Sequence, residues 1–264
     1  MKKPLLTLFS FLLANQIIQA GSFPAQIAYQ VDTLKFEGVW VFPSSKDAPS
    51  KKVLLPSIVL VPDWMGITPE AMAAAQRVSD WGYGVFVADI YGKNHRPKSS
   101  QEAGVLAGQL KGDVPQLRLR IIAAMTAMKQ CRGIDTLKLG AMGFCFGGTT
   151  ALELARTGVL LKGVISVHGN LNTPFPEDGK HIQGRVLILH GSEDPFVPPE
   201  QIENFMDEMR AAGTDWQMNY YGGAVHAFTN PKAGSDPKKG VAFNPKADER
   251  AFKAIKDFWS ETLK

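Results

Sequence analysis

One cysteine stands where the sequence could hold a nucleophile. The stretch Gly143-Phe-Cys-Phe-Gly147 follows an apolar, strand-like run and opens a helix-like one. A turn this tight leaves no room for side chains two residues either side of its apex, and the two glycines have none. The helix start directs free N–H groups and partial positive charge at the Cys145 sulfur, which favours a thiolate and an oxyanion beside it. This pattern, a nucleophile elbow, predicts covalent catalysis by Cys145, although glycines also flank buried cysteines for packing alone.

A thiol nucleophile needs a base, and five histidines compete for that role. Where such an elbow occurs, the nucleophile, the acid and the histidine follow in that order, with the last two on loops after late strands. Asp194 directly follows the apolar run 186–189, and His226 follows the last such run. We therefore expect His226 to take the proton from Cys145 or from the hydrolytic water, and Asp194 to fix the tautomer of His226.

Simpler interpretations of these residues stay open. Asp194 precedes a proline, as turn aspartates do, and His226 is also compatible with a hydrogen-bonded loop histidine. A metal site built from His190 and Asp194 is a further alternative, although no third ligand lies at metal-binding spacing. We expect His168 and His190 to close the ends of strands.

An oxyanion hole would need two N–H donors beside the sulfur. One is expected from Phe146, directly after the nucleophile, and the other from Trp64 in the loop 62–66, which follows an early apolar run. Asp63 would then lie close to the thiol as an additional carboxylate. A plain surface-loop aspartate is the alternative for Asp63.

The chain alternates between short apolar runs and helix-like stretches. Strands are predicted at 53–61, 84–89, 137–142, 164–167, 186–189 and 217–221, after an edge hairpin at 31–42. Helices are predicted from Pro69 (N-capped by Thr68) to about Gly82, and at 114–129, 146–156, 199–212 and 245–263. Repeated strand–helix units predict an α/β domain over residues 21–264, with a mostly parallel sheet covered by helices on both faces. In such sheets the ligand site lies outside the carboxyl ends of the strands.

Residues 1–20 differ from the rest of the chain. Lys2 and Lys3 precede an apolar run and a small-residue exit at Ala20, which is typical of a signal peptide. This pattern predicts export to the periplasm or the medium, with no stable membrane anchor once the leader is removed. Two of the four net positive charges belong to these lysines, and no basic stripe remains to suggest nucleic-acid binding.

The chain has two cysteines, so a disulfide between them has to be considered. Cys131 ends a predicted helix, whereas Cys145 follows the next predicted strand. Opposite edges of the sheet are too far apart for a bond that needs Cα atoms within about 7 Å. We therefore expect two free thiols.

Together these motifs resemble the dienelactone hydrolase family of α/β-hydrolases. The resemblance runs from about Lys35 to the C-terminus, over 62–66, 88–92, 143–148, 190–199, 221–228 and the closing helix. It implies the α/β-hydrolase fold, a triad of Cys145, Asp194 and His226, and no cofactor or metal. It also implies a resting-state role for Asp63, where the family usually has glutamate: restraining the thiol and helping to ionise it when substrate binds.

Members of that family that cleave dienelactone hold the substrate carboxylate with two arginines. Lys93, with Arg96 nearby, stands at one of those positions here, and Asn230 stands at the other. Lysine is a point charge that cannot replace a bidentate guanidinium, and asparagine carries no charge. These candidate substrate-binding residues therefore favour a neutral or singly anchored small ester or lactone.

The resulting prediction is a hydrolase that cleaves a small ester or lactone through a thioester on Cys145. One alternative is transfer of the acyl group to an acceptor other than water. Another is a periplasmic binding protein that keeps the pocket without turnover. A thiol–disulfide oxidoreductase is the least supported class, because no Cys-x-x-Cys pair is present.

Overall fold

The computed structural model describes residues 24–44 and 54–264. The predicted leader lies outside the described residues and stays a prediction. Within them, no helix is long and apolar enough to cross a membrane. The described strands are β1 (Ala25–Val31), β2 (Leu34–Val41), β3 (Leu55–Val61), β4 (Gly84–Val87), β5 (Ile134–Phe144), β6 (Gly163–Val167), β7 (Arg185–Gly191) and β8 (Trp216–Tyr221). The α-helices are α1 (Pro69–Ser79), α2 (Ser100–Gly112), α3 (Val114–Lys129), α4 (Phe146–Arg156), α5 (Pro199–Ala212) and α6 (Pro245–Thr262).

These strands form one sheet in the order β1-β2-β4-β3-β5-β6-β7-β8. All neighbours from β4 to β8 are parallel, whereas β1 and β2 form an antiparallel hairpin whose second strand pairs antiparallel to β4. Because β3 has β4 on one side and β5 on the other, the direction of strand addition reverses between β3 and β5. At such a reversal a crevice forms outside the carboxyl ends of the strands. The 62–66 loop directly follows β3 and Cys145 directly follows β5, so both lie at this crevice.

Both faces of the sheet are buried, as the continuous apolar runs predict. Ile58 and Leu60 pack with residues of α1 and α6, whereas Val59 and Val61 pack with residues of α2 to α5. This alternation along a single strand is the period-two pattern of a strand between two helix layers. The predicted α/β-hydrolase architecture is therefore confirmed.

Most predicted helices match the structure closely, but two predictions need correction. The edge hairpin begins at Ala25 rather than Val31, so the predicted range 31–42 omits nearly all of its first strand and contains only the second strand and the turn. Helix α2 was not predicted, because Gly104 and Gly108 lower the helix propensity of its interior. Its start does carry a signal: the Ser99 hydroxyl accepts a hydrogen bond from the N–H three residues later, as helix N-caps do.

Candidate active site

The elbow around Cys145 is as tight as its glycines predict. A Cβ atom on Gly143 would lie 2.0 Å from the carbonyl oxygen of Gly147, and one on Gly147 would lie 2.1 Å from the carbonyl oxygen of Val61. Cys145 itself has a φ of 53°, which non-glycine residues rarely adopt. It precedes the first residue of α4, so its side chain lies at the positive end of that buried helix. The close approach to Val61 also places the 62–66 loop beside the nucleophile.

Cys145, His226 and Asp194 form one hydrogen-bonded chain. His226 Nε2 lies 3.0 Å from Cys145 Sγ, and His226 Nδ1 lies 2.8 Å from Asp194 Oδ2. The Asp194 side chain is fully buried, and its other oxygen accepts the Phe196 N–H at 2.9 Å. The three residues follow β5, β7 and β8, so the carboxyl edge of the parallel sheet brings them together as predicted. A thiol, an imidazole and a carboxylate thus lie in one chain at hydrogen-bonding distance, which is the spacing that a nucleophile, its base and an orienting acid would need.

The charges at the site favour a protonated His226. Burial lowers the pKa of the imidazole, but the hydrogen bonds to Asp194 and Cys145 outweigh it and raise that pKa to about 10. At neutral pH this pKa places the His226 imidazolium beside the Cys145 sulfur. Phe196, half of whose surface is exposed, contacts the imidazole ring with a centroid distance of 5.2 Å. Phe196 therefore places a half-exposed apolar ring beside His226.

The 62–66 loop is fixed by its own turn and by Tyr91. Asp63 Oδ1 accepts the Met65 N–H at 2.9 Å, and the Tyr91 hydroxyl donates to the carbonyl oxygen of Trp64 at 2.8 Å. Burial raises the pKa of Asp63, and burial with the charges of Asp63 and Cys145 raises that of Tyr91. Asp63 and Cys145 thus both lie near this phenol. The oxyanion roles of Trp64 and Phe146 stay predictions.

The candidate substrate-binding residues have partners of their own. Lys93 pairs with Glu37 at 2.6 Å, and Arg96 pairs with the buried Asp89 at 3.1 Å. The Asn230 side chain instead caps a short 3₁₀ turn by accepting the Lys232 N–H. The structure therefore does not bring these three residues into the hydrogen-bonded chain of Cys145, and their contact with substrate stays a prediction.

Sequence reasoning missed the part that His168 plays at this site. His168 does close β6, as expected, but its Nδ1 also accepts the Cys145 N–H at 3.2 Å, and its ring lies 5.2 Å from that of His226. Burial, and then the charge of His226, lower its pKa well below the ordinary value, so the ring is neutral. The position of His168 directly after the strand beside β5 was the available signal.

A metal site and a disulfide were the other possibilities that the sequence raised. Among residues 24–44 and 54–264, no three histidine, cysteine or acidic side chains converge as a metal site would require. Cys131 and Cys145 are both free thiols, and Cys131 is buried and donates to the Ala127 carbonyl oxygen at 3.6 Å. Burial raises the pKa of the Cys131 thiol to about 12.

Comparison with known proteins identifies the family. The model of the dienelactone hydrolase family matches residues 45–263. A solved structure named m3DLH is 33% identical, with a TM-score of 0.84 over 91% of this chain and 98% of its own. A dienelactone hydrolase-like promiscuous phosphotriesterase from metagenomic libraries is 33% identical over the same shares, with a TM-score of 0.83. An uncharacterized protein of Caenorhabditis elegans is 34% identical over 56% of this chain and 95% of that protein. The chain therefore belongs to the dienelactone hydrolase family and is a carboxylic ester or lactone hydrolase.

Proposed function

We propose that the protein hydrolyses small neutral esters or lactones through a thioester on Cys145, with His226 and Asp194 completing a triad. The observation that carries the proposal is the continuous chain of short hydrogen bonds from Cys145 Sγ through His226 to Asp194. A thiol held by an imidazole that is itself held by a buried carboxylate is the arrangement of an activated nucleophile.

In the acylation step the sulfur attacks the ester carbonyl carbon, and the S–C bond forms as the bond to the alcohol oxygen breaks. The His226 imidazolium donates its Nε2 proton to the departing alcohol. Negative charge on the carbonyl oxygen is stabilised at the start of α4, where the first N–H groups of the helix lack partners within it. The Phe146 N–H, and that of Trp64 opposite, are the proposed donors.

In the deacylation step His226 acts as a base rather than as an acid. Once the sulfur is acylated, its negative charge and its hydrogen bond no longer raise the pKa of the imidazole, so neutral His226 becomes the accessible state. Nε2 then removes a proton from water, the hydroxide oxygen bonds to the thioester carbon, and the S–C bond breaks to release the acid. The Asp194 carboxylate keeps the same ring orientation in both steps.

The substrate class is inferred from the pairing of the candidate binding residues and from Phe196. Lys93 and Arg96 are neutralised by carboxylates, and Phe196 presents an apolar ring beside His226. These contacts favour a neutral ester with an apolar group over one with a free carboxylate. A neutral phosphotriester is a second candidate, because a metagenomic relative that is 33% identical is a promiscuous phosphotriesterase, and because such a substrate also needs no cationic anchor.

The test is hydrolysis of nitrophenyl esters, small lactones and an aryl phosphotriester by the full chain, by Cys145→Ala and by Cys131→Ala. We expect Cys145→Ala to lower kcat at least about 10³-fold, and Cys131→Ala to leave it unchanged. Rapid acid quenching followed by mass spectrometry should find one acyl group on the peptide containing Cys145. Turnover that survives Cys145→Ala, or an acyl group elsewhere, would refute the thioester mechanism. A faster reaction with a carboxylate-bearing ester would refute the neutral substrate class.

A further inference from the structure

His168 is held firmly in an unusual backbone conformation. It directly follows β6 with a φ of 40°, and its side chain is almost fully buried. Its N–H donates to the carbonyl oxygen of Leu189 in β7 at 2.8 Å. A buried histidine in this strained region is retained only where its surroundings fix it, and such residues concentrate at functional sites.

The two ring nitrogens of His168 have different partners. The Cys145 N–H is shared between two acceptors, the Val167 carbonyl oxygen at 2.9 Å and His168 Nδ1 at 3.2 Å, whereas Nε2 lies 2.9 Å from the hydroxyl oxygen of Thr229. Because Nδ1 is an acceptor, the ring proton of the neutral imidazole is on Nε2, which donates to Thr229. Thr229 stands three residues after His226, so the ring connects the backbone of the nucleophile to the loop of the base.

The faces and edges of the ring complete this connection. The His168 and His226 rings lie with their centroids 5.2 Å apart at an interplanar angle of 63°, and the Phe228 ring also packs against His168 at 5.2 Å and 81°. His226 therefore has a neutral aromatic wall behind it. The His168 ring is buried and hydrogen-bonded through both nitrogens, so it offers His226 a fixed neighbour.

We propose that His168 is a positioning residue that sets the distance and angle between Cys145 Sγ and His226 Nε2 by connecting the elbow to the loop after β8. This inference rests on the proposed function, because it concerns the same thiol and imidazole. If His168 served packing alone, any aromatic ring of similar size would replace it with a loss of stability and no selective loss of turnover.

Substitutions of His168 and Thr229 test the two hydrogen bonds of the His168 ring one at a time. Asparagine at position 168 places an oxygen near the position of Nδ1 and retains an acceptor for the Cys145 N–H, whereas phenylalanine retains the ring and neither bond. Thr229→Val removes the distant partner without changing its shape. The matched control is Thr262→Val, because the half-buried Thr262 hydroxyl donates to the Phe258 carbonyl oxygen within its own helix, at the C-terminal end of α6.

The experiment measures kcat and KM for a nitrophenyl ester and the rate of Cys145 alkylation by iodoacetamide, all in a Cys131→Ala background. We expect His168→Phe to lower kcat and the alkylation rate by about 30-fold or more with KM within about twofold, since small misplacements of reacting groups are costly. Thr229→Val should lower both rates by about fivefold, and Thr262→Val should change neither. His168→Asn should recover most of the loss.

Two outcomes would overturn the inference. Equal rates in His168→Phe and wild type, per folded molecule, would show that the ring serves packing alone. A His168→Asn variant no faster than His168→Phe would show that the hydrogen bond to Cys145 has no part in positioning. If His168→Phe does not fold, Thr229→Val decides the matter alone. Alkylation does not require turnover, so it tests the geometry even where the thioester mechanism has been refuted.

Discussion

The imidazole of His226 is a proton donor in one step of the proposed reaction and an acceptor in the next. Its raised pKa, about 10, belongs to the state in which Cys145 carries no acyl group. Below that pKa the ring is protonated and ready to protonate a departing alcohol. Above it the ring is neutral, and an alkoxide would have to leave without a proton.

This assignment predicts how pH affects different leaving groups. We expect kcat/KM for an alkyl ester to fall tenfold per unit as pH rises above about 10, because the proton donor is lost. A nitrophenyl ester, whose leaving group needs no proton, should show little fall. Asp63→Asn removes a negative charge near His226 and should move the alkyl-ester limb to lower pH, whereas the exposed Asp207→Asn should not. Parallel profiles for the two esters would contradict the role of His226.

The sequence was sufficient to predict that Cys145, Asp194 and His226 lie together, but it was not sufficient to predict the contacts of His168. Cys145, Asp194 and His226 each directly follow or lie shortly after an apolar run, and the parallel sheet brings those positions to one edge. The contacts of His168 cannot be read from spacing in this way, since one goes to a backbone N–H and the other to Thr229, 61 residues away. Partners of this kind depend on side-chain directions that no periodicity encodes.

The strand-to-helix turn between β5 and α4 depends on the absence of two side chains. We expect Gly147→Ala to destabilise the protein by about 3 kcal/mol or more, because its Cβ would meet the backbone of Val61 and Pro62, which cannot move without displacing β3. The control is Gly108→Ala on the exposed side of α2, where a Cβ meets nothing within 4 Å. That substitution should stabilise the protein by up to about 1 kcal/mol. Urea unfolding followed by circular dichroism measures both, and equal effects would show that the elbow has more room than the structure indicates.

Prediction was most accurate for elements with clear caps and strong patterns. Helix α3 was predicted at its exact bounds, Val114–Lys129, and α1 was identified by Thr68 and Pro69. The misplaced hairpin had the weakest pattern, because β1 alternates only between half-buried and exposed residues at the sheet edge. An edge strand buries one face at most, so its sequence is less constrained than that of a central strand.

The helices on one side of the sheet are joined through a buried ion network. Arg156 is fully buried and donates both to Glu153 in its own helix and to Glu208 of α5, at 2.8 and 2.7 Å. We expect Arg156→Met to destabilise the whole molecule by about 3–5 kcal/mol, because the Glu208 carboxylate would remain buried without its cation, whereas Glu153 would keep its pair with Arg118. Arg210→Ala, which removes an exposed pair with Asp207, should cost less than about 1 kcal/mol. Equal losses in thermal or urea unfolding would contradict the network's importance.

Because the two thiols of the chain are unequally buried, titration with a thiol reagent can measure the number of active molecules. Cys131 lies in the core with its pKa raised to about 12, whereas Cys145 is partly exposed beside an imidazolium. A thiol reagent in slight excess at neutral pH should therefore form one adduct per correctly folded molecule and leave the second sulfur unmodified. The mass of that adduct gives the fraction of competent protein in any preparation, so turnover numbers are referred to working sites rather than to total protein.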